Sequence, residues 1–152
     1  MKKVTIIYVS IHHQNTANLI ADIKSMINAE VECINLLDDK KFELPISDLL
    51  ILASGIYFND MHKLILKYID ENSFKGRMVA ILCTCGSRYR NHAKSVKKRL
   101  ISKGAKYLGE TYSRGFDTFG ILKKIGGISK GHPNQEDVDR VAREINKIID
   151  NI

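Results

Sequence analysis

The sequence predicts an α/β fold in which helices cover both faces of a five-stranded parallel sheet. Segments rich in branched apolar residues alternate along the chain with amphipathic helical patterns, as in repeated strand–helix units. Three strand segments, at residues 4–9, 49–53 and 78–83, are largely apolar throughout. Strands of this composition are buried on both faces, as they are in the middle of a parallel sheet.

The first half of the chain contains three predicted strands and two helices. Residues 3–9 form the first strand, and residues 15–28 follow as an amphipathic helix. Residues 31–36 alternate partly in polarity, as expected of an edge strand. Residues 49–53 form a central strand, and a helix is predicted to begin after it, capped near Asn59 or Asp60.

The second half repeats the pattern twice. A strand at 78–83 precedes a helix at about 91–103, where Gly104 is suited to end the helix. A last strand lies within 106–113, and a final helix begins at Asn134. The predicted architecture is a doubly wound α/β sandwich of three layers, with strand order 2-1-3-4-5 and a single domain over residues 1–152.

This topology brings three polar loops to one edge of the sheet. Ligands of doubly wound sheets bind at the carboxyl ends of the strands, where the strand order reverses. Those ends carry the loops at residues 10–16, 54–59 and 84–88. We therefore expect the binding site to be built from these three loops.

The first loop, residues 10–16, connects a strand to the N-terminus of a helix. Its Ser, Asn and Thr side chains and the free N–H groups of the first helical turn could hold an anion such as phosphate. A plain turn with Asn15 or Thr16 as the helix cap is the alternative. The loop has neither the Gly-Lys-Ser/Thr of a Walker loop nor a GxGxxG pattern.

The chain is basic, with a formal net charge of +7 and a pI of about 9.3. Such a charge suits an anionic cofactor, an acidic protein partner or nucleic acid. The sequence argues against nucleic acid as the partner, since no nucleic-acid motif accompanies the densest basic cluster. That cluster is Arg88, Arg90, Lys94, Lys97, Lys98 and Arg99.

The three cysteines, Cys33, Cys83 and Cys85, do not suggest a disulfide framework. The N-terminal Lys2-Lys3 and the apolar run after them favour a buried strand over a signal peptide, because no small-residue cleavage site follows. No apolar run is long enough to cross a membrane. These features predict a cytoplasmic protein without membrane insertion.

Residues 115–131 form an unusual segment between the last strand and the last helix. The segment contains five of the ten glycines together with several large apolar residues. A long irregular segment of this kind in a compact domain is usually functional or disordered, and its apolar residues argue against disorder. We expect it to fold over the ligand end of the sheet, where Lys123, Lys124 and Lys130 would favour an acidic protein or an anionic substrate.

Four stretches of the sequence, in this order, resemble the flavodoxins, and specifically a small single-domain group of them. They are Ser10-Ile11-His12-His13-Gln14-Asn15-Thr16, Ser54-Gly55-Ile56-Tyr57-Phe58, Gly115-Phe116-Asp117-Thr118-Phe119-Gly120 and Gly126-Gly127-Ile128-Ser129-Lys130-Gly131-His132-Pro133-Asn134. The resemblance covers nearly the whole chain. It implies the flavodoxin-like fold, flavin mononucleotide (FMN) as the cofactor, and electron transfer between redox partner proteins.

The resemblance also implies which residues hold FMN. The phosphate would lie on Ser10, His12, His13, Gln14, Asn15 and Thr16. The isoalloxazine ring would lie between Ser54, Gly55, Ile56, Tyr57 and Phe58 on one side and Thr84, Cys85, Gly86 and Ser87 on the other. Tyr57, or less favourably Phe58, would stack on the ring, and Asp117 would bind flavin or shape its own segment. No catalytic set and no metal site are predicted.

Two features depart from the family pattern. The family usually has glycine where Gln14 stands, and a left-handed backbone there would cost Gln about 1 kcal/mol. Electron-carrying flavodoxins are typically acidic, whereas this chain is basic. The first departure leaves the path of the loop open, and the second weakens the expectation of an electron shuttle more than that of FMN binding.

Two other functions stay open from the sequence. An FMN-dependent enzyme would use a nicotinamide cofactor to reduce a quinone or another small acceptor, and a flavin-free interaction module would retain only the fold. A signalling receiver domain is excluded because no carboxylate stands at Val9-Ser10 or Ala53-Ser54, where Mg²⁺ would need one.

Overall fold

The computed structural model describes residues 1–39, 43–87 and 91–152. Within those residues, the five predicted strands and four α-helices follow one another in the predicted order, and one short strand, Asp60–Met61, is additional. The strands are β1 (Lys3–Val9), β2 (Glu30–Asn35), β3 (Leu49–Tyr57), β4 (Asp60–Met61), β5 (Met78–Cys85) and β6 (Lys106–Arg114). The α-helices are α1 (Asn15–Lys24), α2 (Lys63–Asp70), α3 (Lys94–Ser102) and α4 (Gln135–Asp150), and a 3₁₀ helix spans Gly120–Ile125.

The sheet has the predicted topology. Five parallel strands lie in the order β2-β1-β3-β5-β6, which is the predicted order 2-1-3-4-5 once β4 is set aside. At the centre of the register, Ile6 of β1 lies beside Cys33 of β2 and Ile51 of β3. The short β4 pairs antiparallel with the end of β3 and was not predicted.

Two apolar layers cover the two faces of the sheet. On one face, Leu19 and Ile23 of α1 and Val141 and Ile145 of α4 pack against the sheet. On the other face, α2 and α3 bury the second layer, which includes Tyr68 and Phe74. Because β1, β3 and β5 contribute to both layers, their sequences are apolar at successive positions, as the prediction required.

Several helix boundaries differ from the predictions. The helix predicted to be capped near Asn59 or Asp60 begins at Lys63, and His62 is its cap, with a ring nitrogen that accepts the N–H of Leu64. Asp60 instead pairs with Tyr57 across a hairpin. The residues that were predicted to cap the helix therefore belong to the hairpin. Helix α1 ends at Lys24 rather than at residue 28, and α3 begins at Lys94 rather than at 91.

The cysteines behave as predicted, since Cys33, Cys83 and Cys85 are all free. Over the described part of the chain, none of the helices combines the length and the apolar character needed to cross a membrane. Two residues of the predicted basic cluster, Arg88 and Arg90, lie outside the described residues. Arg88 is also the last position of the predicted loop 84–88.

Candidate functional site

A cavity of about 310 Å³ opens at the carboxyl end of the sheet, between the ends of β1, β3 and β5. Its size lies within the range of small-molecule sites, which is roughly 300–1,000 Å³. Most of the predicted site residues line it: Ser10, His12, Asn15, Thr16, Gly55, Ile56, Tyr57, Phe58, Thr84, Cys85, Gly86, Ser87 and Asp117. The three predicted loops therefore do converge on one cavity.

The first loop enters helix α1 through a strained backbone. His13 and Gln14 both have φ of 53°, in the left-handed region that disfavours side chains, and Gln14 is the N-cap residue without a side-chain cap. Neither Asn15 nor Thr16 caps the helix. Instead, Ser10 Oγ accepts a hydrogen bond from the N–H of Ala17, in the first turn of the helix, at 3.1 Å.

This arrangement leaves backbone donors at the start of α1. In the part of the chain that the structure describes, the N–H groups of Gln14 and Thr16 donate to no protein acceptor, while that of Asn15 makes a long contact of 3.5 Å to His12 O. Unpaired N–H groups at a helix N-terminus attract anions. No lysine or arginine of the described residues lines the cavity, so backbone N–H groups, hydroxyls and the ring of His12 would have to carry the recognition of an anion.

Two buried hydroxyls join the first loop to the end of β5. Thr16 Oγ1 and Thr84 Oγ1 lie 2.8 Å apart, and both residues line the cavity although they are almost fully buried. One hydroxyl must donate to the other, which leaves the second with a hydrogen of its own. The pair can therefore fix the spacing of the two loops and still donate to a ligand.

Tyr57 turns inward, toward the first loop. Its ring centroid lies 5.6 Å from that of His12 and 5.3 Å from that of His62, and it passes so close to Gly55 that a Cβ there would meet its Oη at 3.0 Å. Burial raises the pKa of the Tyr57 hydroxyl, while the neighbouring backbone N–H groups of Ile11 and His12 act to lower it. The hydroxyl is therefore neutral at physiological pH and oriented toward the loop.

The third loop places a thiol in the cavity wall. Cys85 Sγ donates to Ser87 O at 3.0 Å, and burial raises the pKa of the thiol. A thiol of this kind stays protonated at neutral pH and is a poor nucleophile. Cys85 is thus an uncharged wall residue rather than a reactive group.

The segment at residues 115–131 closes one side of the cavity. Asn15 Nδ2 donates to Phe116 O at 2.9 Å, and Ser129 Oγ donates to Gly86 O at 2.5 Å, so the segment is joined to both the first and the third loop. A hydrogen-bonded bridge between Asp117 and Ile128 holds its two arms together. The segment lies over the ligand end of the sheet, where it was expected.

Glycine is required at two positions where the 115–131 segment packs against the first and third loops. A Cβ at Gly115 would meet Asn15 Nδ2 at 2.5 Å, and a Cβ at Gly86 would meet the Asp117 side chain at 2.5 Å. Either clash would push the segment away from the cavity.

Three predicted site residues, His13, Gln14 and Ser54, do not line the cavity. His13 faces the segment, with its Nε2 2.8 Å from Thr118 Oγ1 and its ring 4.5 Å from that of Phe116. Ser54 Oγ is turned into the protein, where it accepts the N–H of His62 and donates to Gly55 O. Gln14 bonds back to Ile11 O.

The cavity also contains residues that were not predicted as site residues: Asn59, His92, Gly115, Phe116, Phe119, Leu122 and Ile128. Five of these lie in the 115–131 segment, whose glycines and aromatics had indicated a function without indicating which side chains face inward. His92 precedes α3 and carried no signal in the sequence.

Comparisons with known proteins agree with the architecture. No protein-family model matches the sequence. The Methanocaldococcus jannaschii protein named "Uncharacterized protein MJ0298" is 36% identical over 149 residues, which cover 97% of each chain.

Solved structures match across the whole chain. Oxidised flavodoxin 1 from Bacillus cereus has a TM-score of 0.70 and 19% identity, with 99% of both chains covered. A flavodoxin from the domain Archaea has a TM-score of 0.67 and 17% identity, covering 98% of this chain and 97% of its own. The flavodiiron protein of Giardia intestinalis has a TM-score of 0.68 at 15% identity, and 35% of its length is covered. The chain is thus a flavodoxin-like protein by fold, and it belongs to the same sequence family as MJ0298 of Methanocaldococcus jannaschii.

Proposed function

We propose that the chain binds FMN in this cavity and transfers electrons between partner proteins. The observation that carries the proposal is the convergence of three elements at one opening: free N–H groups at the start of α1, the paired hydroxyls of Thr16 and Thr84, and aromatic side chains at the end of β3. Solved flavodoxins with the same fold support it.

The residues fit the parts of FMN. The N–H groups of the first loop, with Ser10, Thr16 and the neighbouring His12, would hold the phosphate. Tyr57 and the backbone of residues 84–87 would border the ring system, which needs an apolar face and N–H donors. When bound, FMN supplies reversible transfer of one or two electrons. The neutral thiol of Cys85 and the apolar side chains of Phe116 and Leu122 would exclude water from the ring.

The test is a titration of the purified protein with FMN and with riboflavin, followed by flavin fluorescence. We expect FMN to bind at least about tenfold more tightly, because riboflavin lacks the phosphate that the first loop would hold. Thr16→Ala should weaken FMN by roughly 1–3 kcal/mol and leave riboflavin almost unchanged. Equal affinities would show that residues 10–16 are not a phosphate site, and no binding of either flavin would refute the function.

Electron transfer is tested separately, with the flavin-loaded protein alone in the presence of NADH or NADPH. An electron carrier should oxidise neither cofactor at a catalytic rate. Steady turnover with a quinone as acceptor would instead identify an FMN-dependent oxidoreductase.

A further inference from the structure

Two phenylalanines stand in solvent at the mouth of the cavity. Phe58, in the turn between β3 and β4, is 85% exposed, and Phe119, in the 115–131 segment, is 53% exposed. Their ring centroids are 5.3 Å apart and the rings are nearly perpendicular. Two separate loops thus bring aromatic side chains together where they bury little surface.

The 3₁₀ helix that follows Phe119 extends this apolar area. Ile121 is 76% exposed and Ile125 is 70% exposed, and none of the residues of the helix is buried. Lys123 and Lys124 lie between them and are exposed as well. We call these residues the aromatic–lysine surface: Phe58, Phe119, Ile121, Lys123, Lys124 and Ile125.

The charge of this surface is not compensated. Neither Lys123 nor Lys124 forms a salt bridge with any of the described residues. Asp117 is the only acidic residue of the 115–131 segment, and its Oδ1 accepts the N–H of Phe119 at 2.8 Å. The surface therefore combines exposed apolar side chains with two free positive charges.

Phe58 is also held in a costly conformation. Its φ is 51°, in the left-handed region, which is sterically unfavourable for a bulky side chain. An exposed ring recovers little of that cost through packing. Strain of this kind is concentrated at functional sites, and large exposed apolar patches mark interaction sites.

We propose that the aromatic–lysine surface is the docking site of a small acidic redox protein. The proposal rests on the proposed flavin site, because Phe58 and Phe119 of this surface line the cavity through whose opening electrons would pass. A partner with an apolar contact patch ringed by carboxylates matches both features of the surface. The net charge of +7 would speed the encounter at low salt.

Two other occupants fit less well. A second copy of the chain carries the same uncompensated lysines, so two such surfaces would repel each other. A membrane surface usually takes up an amphipathic helix of several turns, whereas this helix has only six residues.

The test is an NMR titration of the ¹⁵N-labelled protein, with and without FMN. The probe is a zinc-substituted rubredoxin, a small acidic protein, and cytochrome c serves as a basic protein for comparison. We expect rubredoxin to shift amide signals around Phe58 and along residues 119–125, and cytochrome c to bind far more weakly. Shifts centred on α3 instead would overturn the proposal.

Charge reversal tests the lysines against a matched control. Lys123→Glu with Lys124→Glu should weaken rubredoxin binding about tenfold at low salt and much less at high salt. Lys75→Glu with Lys147→Glu removes the same charge from exposed positions at the other end of the sheet, and this control should bind almost as well as the wild type. Equal losses in the two double variants would refute a docking role for the surface.

Phe119→Ser tests the apolar part. It should weaken binding roughly fivefold at both ionic strengths, because apolar contacts are not screened by salt. Tighter binding to anionic lipid vesicles than to rubredoxin, or a dimer that Phe119→Ser dissociates, would overturn the proposal in favour of those occupants. Docking without FMN affinity would refute the flavin site and leave the docking surface standing.

Discussion

Gln14 stands at the point where the first loop turns into α1. Its left-handed φ of 53° follows the same value at His13, so the chain makes this turn with two successive residues that disfavour it. The turn directs the N–H groups of Gln14 and Thr16 away from protein acceptors. Gln14 stands where the flavodoxins that the sequence resembles usually have glycine. The loop nevertheless keeps a left-handed backbone at this position, which glycine would favour and Gln does not.

Replacing Gln14 with Gly should stabilise the protein by about 1 kcal/mol, because glycine adopts a left-handed backbone without the steric cost. Urea unfolding would measure the change. Gln14→Ala removes the same side chain, including its bond to Ile11 O, and keeps the strain, so it should give no gain. An equal effect of both substitutions would show that the side chain, and not the backbone, decides the stability.

Other loops around the cavity show the same strain. Phe58, Asn59 and Ser129 also have positive φ, at 51°, 63° and 53°. Each such residue costs roughly 1–3 kcal/mol, and it persists only because the surrounding structure holds it in place. The loops thus store strain at the one end of the sheet where the candidate site lies.

Helix α4 anchors the segment that closes the cavity. Asn134 and Asp137 form a capping box at its N-terminus. Asp137 Oδ2 also accepts a hydrogen bond from His132 Nδ1, at 2.6 Å. His132 O in turn accepts the N–H of Phe116. The helix cap and the wall of the cavity are therefore connected through one carboxylate.

Asp137→Asn should lower the stability at pH 7 by roughly 1–3 kcal/mol, as expected when hydrogen bonds to a charged group are lost. Burial would raise the pKa of the Asp137 carboxyl, but the N–H of Asn134, His132 and the charge of Arg140 together hold the pKa below its ordinary value. A lowered pKa adds stability at neutral pH, and this contribution is lost as the pH falls below about 4.

The difference in unfolding free energy between wild type and Asp137→Asn should therefore shrink as the pH is lowered from about 4. Urea unfolding across the pH range provides the measurement. Asp139→Asn, on a half-buried position of the same helix, is the control and should have little effect at any pH. A difference that stays constant with pH would contradict the role of the Asp137 charge.

At the scale of the whole molecule, the cavity is shared by elements that are distant in sequence. Its walls come from the ends of β1, β3 and β5 and from the segment after β6, so a ligand there contacts residues from Ser10 to Ile128. Binding to the folded state alone raises the free energy of unfolding by mass action.

FMN at about one hundred times its dissociation constant should add about 2.7 kcal/mol to the stability. For a protein of this size that corresponds to a rise in Tm of roughly 5–10 °C. Differential scanning calorimetry would measure it, and riboflavin at the same concentration should raise Tm less. The same rise with both flavins would contradict a site that recognises the phosphate.

The sequence alone determined the five parallel strands, their order and the edge of the sheet where the loops meet. Those features follow from local patterns, because apolar runs of strand length and amphipathic helical spacing leave few ways to bury the apolar residues. The polar loops at residues 10–16, 54–59 and 84–87 were predicted for the same reason, since they follow the carboxyl ends of buried strands.

Only the tertiary structure decided which side chains face the cavity. Ser54 and His13 are of the expected chemical type, yet one bonds into the protein and the other to Thr118, since their directions depend on contacts with distant residues. Helix α2 begins at Lys63, later than predicted, because Asp60 pairs with β3 in the hairpin and is not available as a helix cap. Phe58 and Phe119 meet only because two loops 61 residues apart converge in the fold, and no local pattern encodes a contact of that separation.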